Sequence, residues 1–360
     1  MTERPRAVAD PVRTMAEAFR TAAASDSESR LKSLYALGGG HAEVRIAGRQ
    51  LAERITRAFC HLEASERGAA LSSLTIHLWD NRETGVPAPF QYLRDAFHRT
   101  WPFGRMVLAS SRDESVIGLQ SHEAATVLDR RTGQIVGCVS AHDRLSLFEI
   151  GKPLQPLLFA WHSDHDVVPI HAGLVARGGD GVLLGGAGGS GKSTTSLMCA
   201  HGGFDYLGDD YIGLPSANGG GEFQAHSFYN STWLTPEHLQ RFPWLGPHRL
   251  EGTPEDDKKL VLLSDVFPDR LARQATVRAL ALPRVAGTPG TSFRRASSAE
   301  AVLRLAPSSI LQLPFISAPQ ALERVTELAH RVPTYWLDLG RDLEEIPRRV
   351  DDLLADAMSH

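Results

Sequence analysis

The octet Gly186-Ala187-Gly188-Gly189-Ser190-Gly191-Lys192-Ser193 meets the pattern G-x-x-x-x-G-K-[ST] at every required position. Context decides whether such a string carries chemistry, because short glycine-rich runs arise by chance. Here the apolar run GVLLGG stands directly before it, and STTSLMCAHG, with helical character, directly after it. Strand, glycine loop and helix in that order aim successive backbone N–H groups at one point. The helix dipole adds partial positive charge there, so the arrangement suits phosphate oxygens. Lys192 would reach the β- and γ-phosphates of a nucleotide, the Ser193 hydroxyl would ligate Mg2+, and Thr194 would follow in the first helical turn. A plain turn needs no lysine at that place.

Downstream, FDYLGDDY sets Asp209 and Asp210 side by side after a short apolar run. Adjacent carboxylates repel, and a solvated turn is the ordinary structural reason to find them. The helix after the glycine loop is short, however, and the chain returns at once as the strand FDYLG. A parallel strand beside the loop strand would bring its C-terminal end to the same sheet edge, where ligands bind in open α/β folds. Successive strand side chains point to opposite faces, so one aspartate should face the phosphates more directly than the other. Their positive partners would be Mg2+ and the proton of an attacking hydroxyl. No LSGGQ-like signature accompanies the loop, against an ABC transporter ATPase, and no NKxD element, against a small GTPase.

Other chemistry-bearing residues weigh less. His162, Asp164, His165 and Asp166 could form a metal cluster with His171, but no second histidine pair or cysteines complete it. We read that stretch as the end of a helix delivering a strand over 167–175, where His171 would by default be a core histidine. Lys258 and Lys259 stand before the strand-like LVLL, and one of them could reach a nucleotide. Trp79-Asp80 shows no nucleophile–base partner.

Several elements must position these groups. Residues 1–40 read as a flexible or helical N-terminal segment, with a helix around Pro11 to Ala24 and SDSESR as a polar link. Residues 41–145 read as a small α+β module assigned to substrate recognition or a structural role. It contains a strand at 42–48, a helix at 49–63, a strand at 72–81 and a DRRTG hairpin turn. Residues 146–360 read as the catalytic domain, with a strand at 334–340 and an amphipathic terminal helix. The net charge of −4 gives no footprint for nucleic acid or an anionic membrane. Three separated cysteines argue against a disulfide framework, and no secretory h-region or 18-residue apolar run occurs, so we expect a cytoplasmic protein.

The stretch from Ile170 to Leu214 resembles the catalytic domain of HPr kinase/phosphorylase. More loosely it is similar to the related serine kinases that tailor ribosomal peptides such as lasso peptides. The resemblance rests on the histidine in IHAGLV, the glycine loop, and GDD where the family has an ADD-like pair. It implies an α/β P-loop kinase domain of the HPr kinase C-terminal or PEP carboxykinase-like type, beside the small N-terminal module. By the match Lys192 is the phosphate lysine, Ser193 a metal ligand, Asp210 the proton acceptor, His171 the active-site histidine and Asp209 the supporting carboxylate that assists the metal. Thr194 stands where bifunctional members usually carry an acidic residue, and Glu222 lies too near the aspartates to match their later acidic segment. The kinase half-reaction is therefore favoured over the phosphorylase half. The implied activity is ATP- and Mg2+-dependent phosphorylation of a serine on a small protein or peptide, for instance a ribosomal peptide precursor. A PEP carboxykinase-like or small-molecule kinase and a nucleotide-gated regulatory protein without phosphoryl transfer stay open, as does an oligomer.

Overall fold

A computed structural model describes residues 10–25, 31–64, 73–89, 93, 96–217, 221–252, 256–310 and 315–359. The chain forms two compact units, one of residues 1–57 and 63–161, the other of 58–62 and 162–360. The division thus falls at Trp161/His162, later than the 145/146 boundary read from composition.

The first unit is built on the strands β1 (Leu31–Leu37), β2 (Gly40–Ala47), β3 (Glu63–Ala64), β4 (Leu74–Asp80), β5 (Arg99–Phe103), β6 (Met106–Ser110), β7 (Val116–Gln120), β8 (Ala124–Asp129) and β9 (Gln134–Val139). They form one sheet in the order β3-β1-β2-β4-β9-β8-β7-β6-β5. Helix α1 (Pro11–Ser25) turns Val12, Met15, Phe19, Ala22 and Ala23 to one side, into a core with Trp79, Val127 and Val136. The N-terminal segment is therefore part of the unit's core and sheet, because α1 and β1 both bury apolar surface there. Most of its polar link, 26–30, lies outside the described residues. The helix expected at 49–63 stops early. Helix α2 (Arg49–Ile55) gives way to a 3-10 stretch, Thr56–Leu62, kinked at Phe59. Long-range bonds capture that stretch: Asn230 N donates to Ala58 O at 2.8 Å and Arg273 Nε to His61 O at 3.0 Å. Beyond it come α3 (Asn81–Thr84), α4 (Leu147–Gly151) and α5 (Gln155–Asp164).

In the second unit, β10 (Val167–Ile170), β11 (Ala172–Arg177), β12 (Asp180–Gly185), β13 (Asp205–Gly208), β14 (Ile212–Pro215) and β15 (Gln224–Ser227) precede a smaller sheet of β16 (Ser231–Leu234), β17 (Arg249–Leu250) and β18 (Lys259–Leu262). The long β19 (Gln274–Val285), β20 (Ser292–Ala296) and β21 (Thr334–Leu339) complete the main sheet, whose order is β10-β14-β15-β19-β12-β11-β13, with β21 beside β19 and β20 beside β21. One face is covered by α6 (Lys192–His201) and α10 (Ile346–Met358), the other by α8 (Ser298–Ile310) and α9 (Ala318–Arg331); α7 (Pro236–Leu239) precedes β17. This is a mixed α/β architecture, with apolar layers on both faces of the sheet.

The parallel neighbour of β12 is β19, not β13 as expected. β11 lies between β12 and β13 and is antiparallel to both. Two reversals restore the direction, so β12 and β13 still end at one edge. The expected single strand 167–175 is likewise two strands, β10 and β11, broken at His171. β10 pairs with β14 and β11 with β12 and β13, so the chain changes partners at that residue. Among the described residues no helix is long and apolar enough to cross a membrane.

Candidate active site

Register brings the site together. Ala172 faces Gly185 and Leu174 faces Gly208, so the end of β12, the start of β11 and the end of β13 share one sheet edge. Three segments far apart in sequence therefore converge there: the glycine loop, His171, and Asp209-Asp210. A side chain at position 173 would obstruct this approach, since a Cβ there would lie 2.7 Å from Ser196 Oγ and 3.3 Å from Asp209 Cα.

The loop leaves β12 with Gly186 at φ 148°, Gly189 at 78° and Gly191 at 107°, all left-handed conformations that favour glycine. At Gly191 there is also no room, because a Cβ would come within 2.3 Å of Leu339 Cδ1. Gly188 and Gly189 are open, with nothing within 4 Å of an added Cβ. The loop is thus packed at its base and bare at its tip, as a cradle for an external group requires. Lys192 is buried, and its Nζ donates to Gly186 O at 2.7 Å and Ala187 O at 3.3 Å. Burial lowers its pKa, against the attraction of Asp210 and Asp209, and Lys258 lowers it further. The two aspartates and Lys258 therefore all act on the same ammonium.

The two carboxylates differ in surroundings. Asp209 is buried and accepts from Thr232 Oγ1 at 2.6 Å. The Tyr206 hydroxyl donates to Ser231 O at 3.3 Å, and burial, then Asp209, push its pKa well up. Asp210 is about a third exposed, and its Oδ1 lies 3.0 Å from His171 Nε2. Ser309, near the end of α8, accepts from the His171 backbone N–H at 3.2 Å, and the Tyr211 ring lies 5.1 Å from the imidazole. The Tyr211 hydroxyl is itself shifted up by burial and then by Asp210.

His238 and Lys258 come from segments outside the loop and the aspartates. His238 Nε2 lies 2.8 Å from Thr194 Oγ1, and burial, then Arg241 and Lys258, lower its pKa. Lys259 is paired with Glu251 at 3.0 Å, and the charge of Lys258 contributes to lowering the Lys192 pKa. Sequence offered no signal for Thr232, His238 or Ser309. Each is an ordinary polar residue until the fold delivers it.

Other candidates separate from this edge. Glu222 pairs with Arg278, which also pairs with Asp180 at 2.7 Å, at the start of β12 and so at the far end from the loop. In the HSDHD stretch, His162 packs edge-on against Phe228 and Asp166 pairs with Arg324 at 2.8 Å. Among the described residues the one three-residue cluster with metal-ligand geometry is Asp80, Glu83 and His142, in the first unit. Asp80 therefore has a partner that sequence did not reveal. Its carboxylate is already engaged: it accepts from Arg82 N at 2.6 Å, Glu83 N at 3.1 Å, His142 N at 2.9 Å and His142 Nδ1 at 2.8 Å. Glu83 likewise accepts from Gln50 N and Leu51 N at the start of α2. These contacts describe a structural latch.

The edge of the second unit fits a nucleotide and a hard cation. It offers an open glycine tip, an ammonium, a hydroxyl at the helix start in Ser193 and a buried carboxylate in Asp209, all suited to phosphate or Mg2+. No protein-family model and no curated protein matches the chain. Among solved structures it is similar to an Hpr(Ser) kinase/phosphatase from Coxiella burnetii, at 17% identity, over 53% of this chain and 99% of that one, with a TM-score of 0.29. This is a distant structural likeness, too slight to carry an argument about chemistry.

Proposed function

We propose that the second unit is an ATP- and Mg2+-dependent kinase that phosphorylates a hydroxyl, a serine on a small protein or peptide. The observation that carries this reading is the convergence, at one sheet edge, of the glycine loop with Lys192 and the Asp210–His171 pair. Phosphoryl transfer is mostly positioning and charge neutralisation, so few groups suffice. Loop N–H groups hold the phosphates, and Lys192 exchanges its loop carbonyls for phosphate oxygens. Ser193 and Asp209 would hold Mg2+, which neutralises charge on the phosphates. His171 fixes the orientation of Asp210, and Asp210 takes the proton as the serine oxygen bonds to the γ-phosphorus and the bond to the ADP oxygen breaks. Lys258, whose charge lowers the Lys192 pKa, would add positive charge near the phosphates.

The direct test is transfer of labelled γ-phosphate from ATP to serine-containing peptides, with melting measured in Mg-ATP. A bound nucleotide raises the melting temperature by mass action. No shift at millimolar Mg-ATP in a folded sample would remove the proposal. A shift without transfer to any acceptor would leave a nucleotide-binding regulatory protein.

A further inference from the structure

On the side of the glycine loop away from His171 and Asp210, three guanidinium groups gather on one indole. The Trp336 ring is buried, with Arg284 at 4.8 Å from its centroid, Arg304 at 5.2 Å and Arg294 at 5.8 Å. Two carboxylates are present as well. Arg284 pairs with Asp338. Glu300 accepts from Trp336 Nε1 at 2.9 Å, and its other oxygen caps the start of α8 by accepting from Ser297 N and Oγ, both at 2.8 Å. Arg294 and Arg304 have no carboxylate at ion-pair distance among the described residues, and both are exposed. An arginine laid against an aromatic ring keeps its N–H edge available for an anion in a fixed plane. The whole chain carries a net charge of −4, so this cluster does not simply reflect a basic protein.

A second observation marks the same surface. The two most exposed large apolar residues described are Leu303, at 73%, and Val285, at 69%. Leu303 directly precedes Arg304 on α8, whereas Val285, paired with Leu339, lies on the face of β19 opposite Arg284 and Trp336. The patch also borders the start of the loop, since an added Cβ on Gly185 would lie 2.6 Å from Leu305 Cδ2, and Leu305 follows Arg304 on α8. In the sheet, β21, which carries Trp336, is separated from β13 by β19, β12 and β11. Four strand spacings amount to about 19 Å, which an extended chain covers in about five or six residues.

We infer that this patch docks an acidic segment of the peptide substrate, with Asp or Glu side chains on Arg294 and Arg304 and an apolar residue over Leu303. Its role in substrate selection rests on the kinase reading above; the binding itself does not. The acidic residues lie about five or six positions from the phosphorylated serine, by the extended-chain spacing.

The test uses the full chain and labelled serine peptides, one bearing a Glu cluster at that spacing and a twin bearing Gln, measured by fluorescence anisotropy without nucleotide. The acidic peptide should bind about tenfold tighter than its twin, less so at high salt. Arg294→Glu and Arg304→Glu, both on the surface, should each weaken the acidic peptide several-fold. A Lys-bearing peptide should recover binding to the variants. Equal binding of the two peptides overturns the proposal. So does loss of the Mg-ATP melting shift in the variants, which would assign the arginines to the nucleotide. A dimer dissolved by the same substitutions would make a second copy the occupant, and preferential binding of duplex DNA would make it a nucleic acid; either overturns the proposal. Acidic-peptide binding without phosphoryl transfer would sink the kinase reading alone, and transfer with no acidic preference would sink the docking alone.

Discussion

His171 Nε2 and Asp210 Oδ1 lie 3.0 Å apart although 39 positions separate them in the chain. The break between β10 and β11 presents the histidine, and the end of β13 presents the aspartate. On the proposed mechanism the first holds and the second reacts, so their substitution should have unequal effects. Asp210→Asn keeps the size and some of the hydrogen bonding but cannot take a proton. Transfer should fall by about 10²-fold or more, the scale of a lost general base, while nucleotide affinity stays. His171→Ala should lower transfer by less, and His171→Asn should restore part of it. Native-rate transfer by Asp210→Asn would rule out the mechanism.

Lys192 supplies a test that combines ligand and pH. Its folded-state pKa lies below the ordinary 10.5 because it is buried. The folded protein therefore binds this proton less well than the unfolded chain does. Stability is penalised in full below the folded pKa, and the penalty is relieved as pH rises toward the ordinary value. Lys192→Met, which removes the buried charge, should hold or raise the melting temperature at pH 7. That advantage should shrink toward pH 10, and the Mg-ATP shift should vanish. Melting curves with and without Mg-ATP across this range decide it. A persisting nucleotide shift would dissociate Lys192 from the phosphates.

Thr232 is a partner of the buried Asp209, at 2.6 Å. Thr232→Val keeps the shape and removes the donor, leaving a carboxylate oxygen short of a bond. The cost should be about 1–3 kcal/mol of stability in urea unfolding. The Mg2+ concentration needed for half-maximal transfer should also change, because the carboxylate is reoriented. Unaltered unfolding and Mg2+ dependence together would show that this bond is idle.

Lys258 and Lys259 are adjacent but differ in role. Lys259 is held by Glu251, whereas Lys258 acts on both Lys192 and His238. Lys258→Ala should reduce transfer and Lys259→Ala should leave it near native, both judged by initial rates at saturating ATP. The reverse order would assign that role to Lys259.

In the first unit, Asp80 is fully buried and accepts two backbone N–H bonds from α3 and two bonds from His142. Asp80→Ala strips four donors of their acceptor and should destabilise the protein by on the order of 3 kcal/mol. A shift in the urea midpoint reads this out, and a change below 0.5 kcal/mol, the scale of a neutral surface substitution, would contradict the latch.

What the chain reveals by itself is what is local. The octet 186–193, the apolar strand before it and the helix after it are contiguous, so pattern and conformational preference coincide and the loop was legible. The hairpin between β8 and β9, helix α1 and the terminal helix were legible for the same reason. Tertiary structure decided the pairings that link distant positions. It inserted β11 between β12 and β13, divided the strand at His171, and ended α2 at Ile55 where distant partners capture the chain. It also bonded Thr232 to Asp209 and His238 to Thr194, and joined Asp80 to His142 across 62 positions. Periodicity records which face of an element is apolar, but neither strand order nor register, and those are set by burial of the whole sheet between its two helical layers.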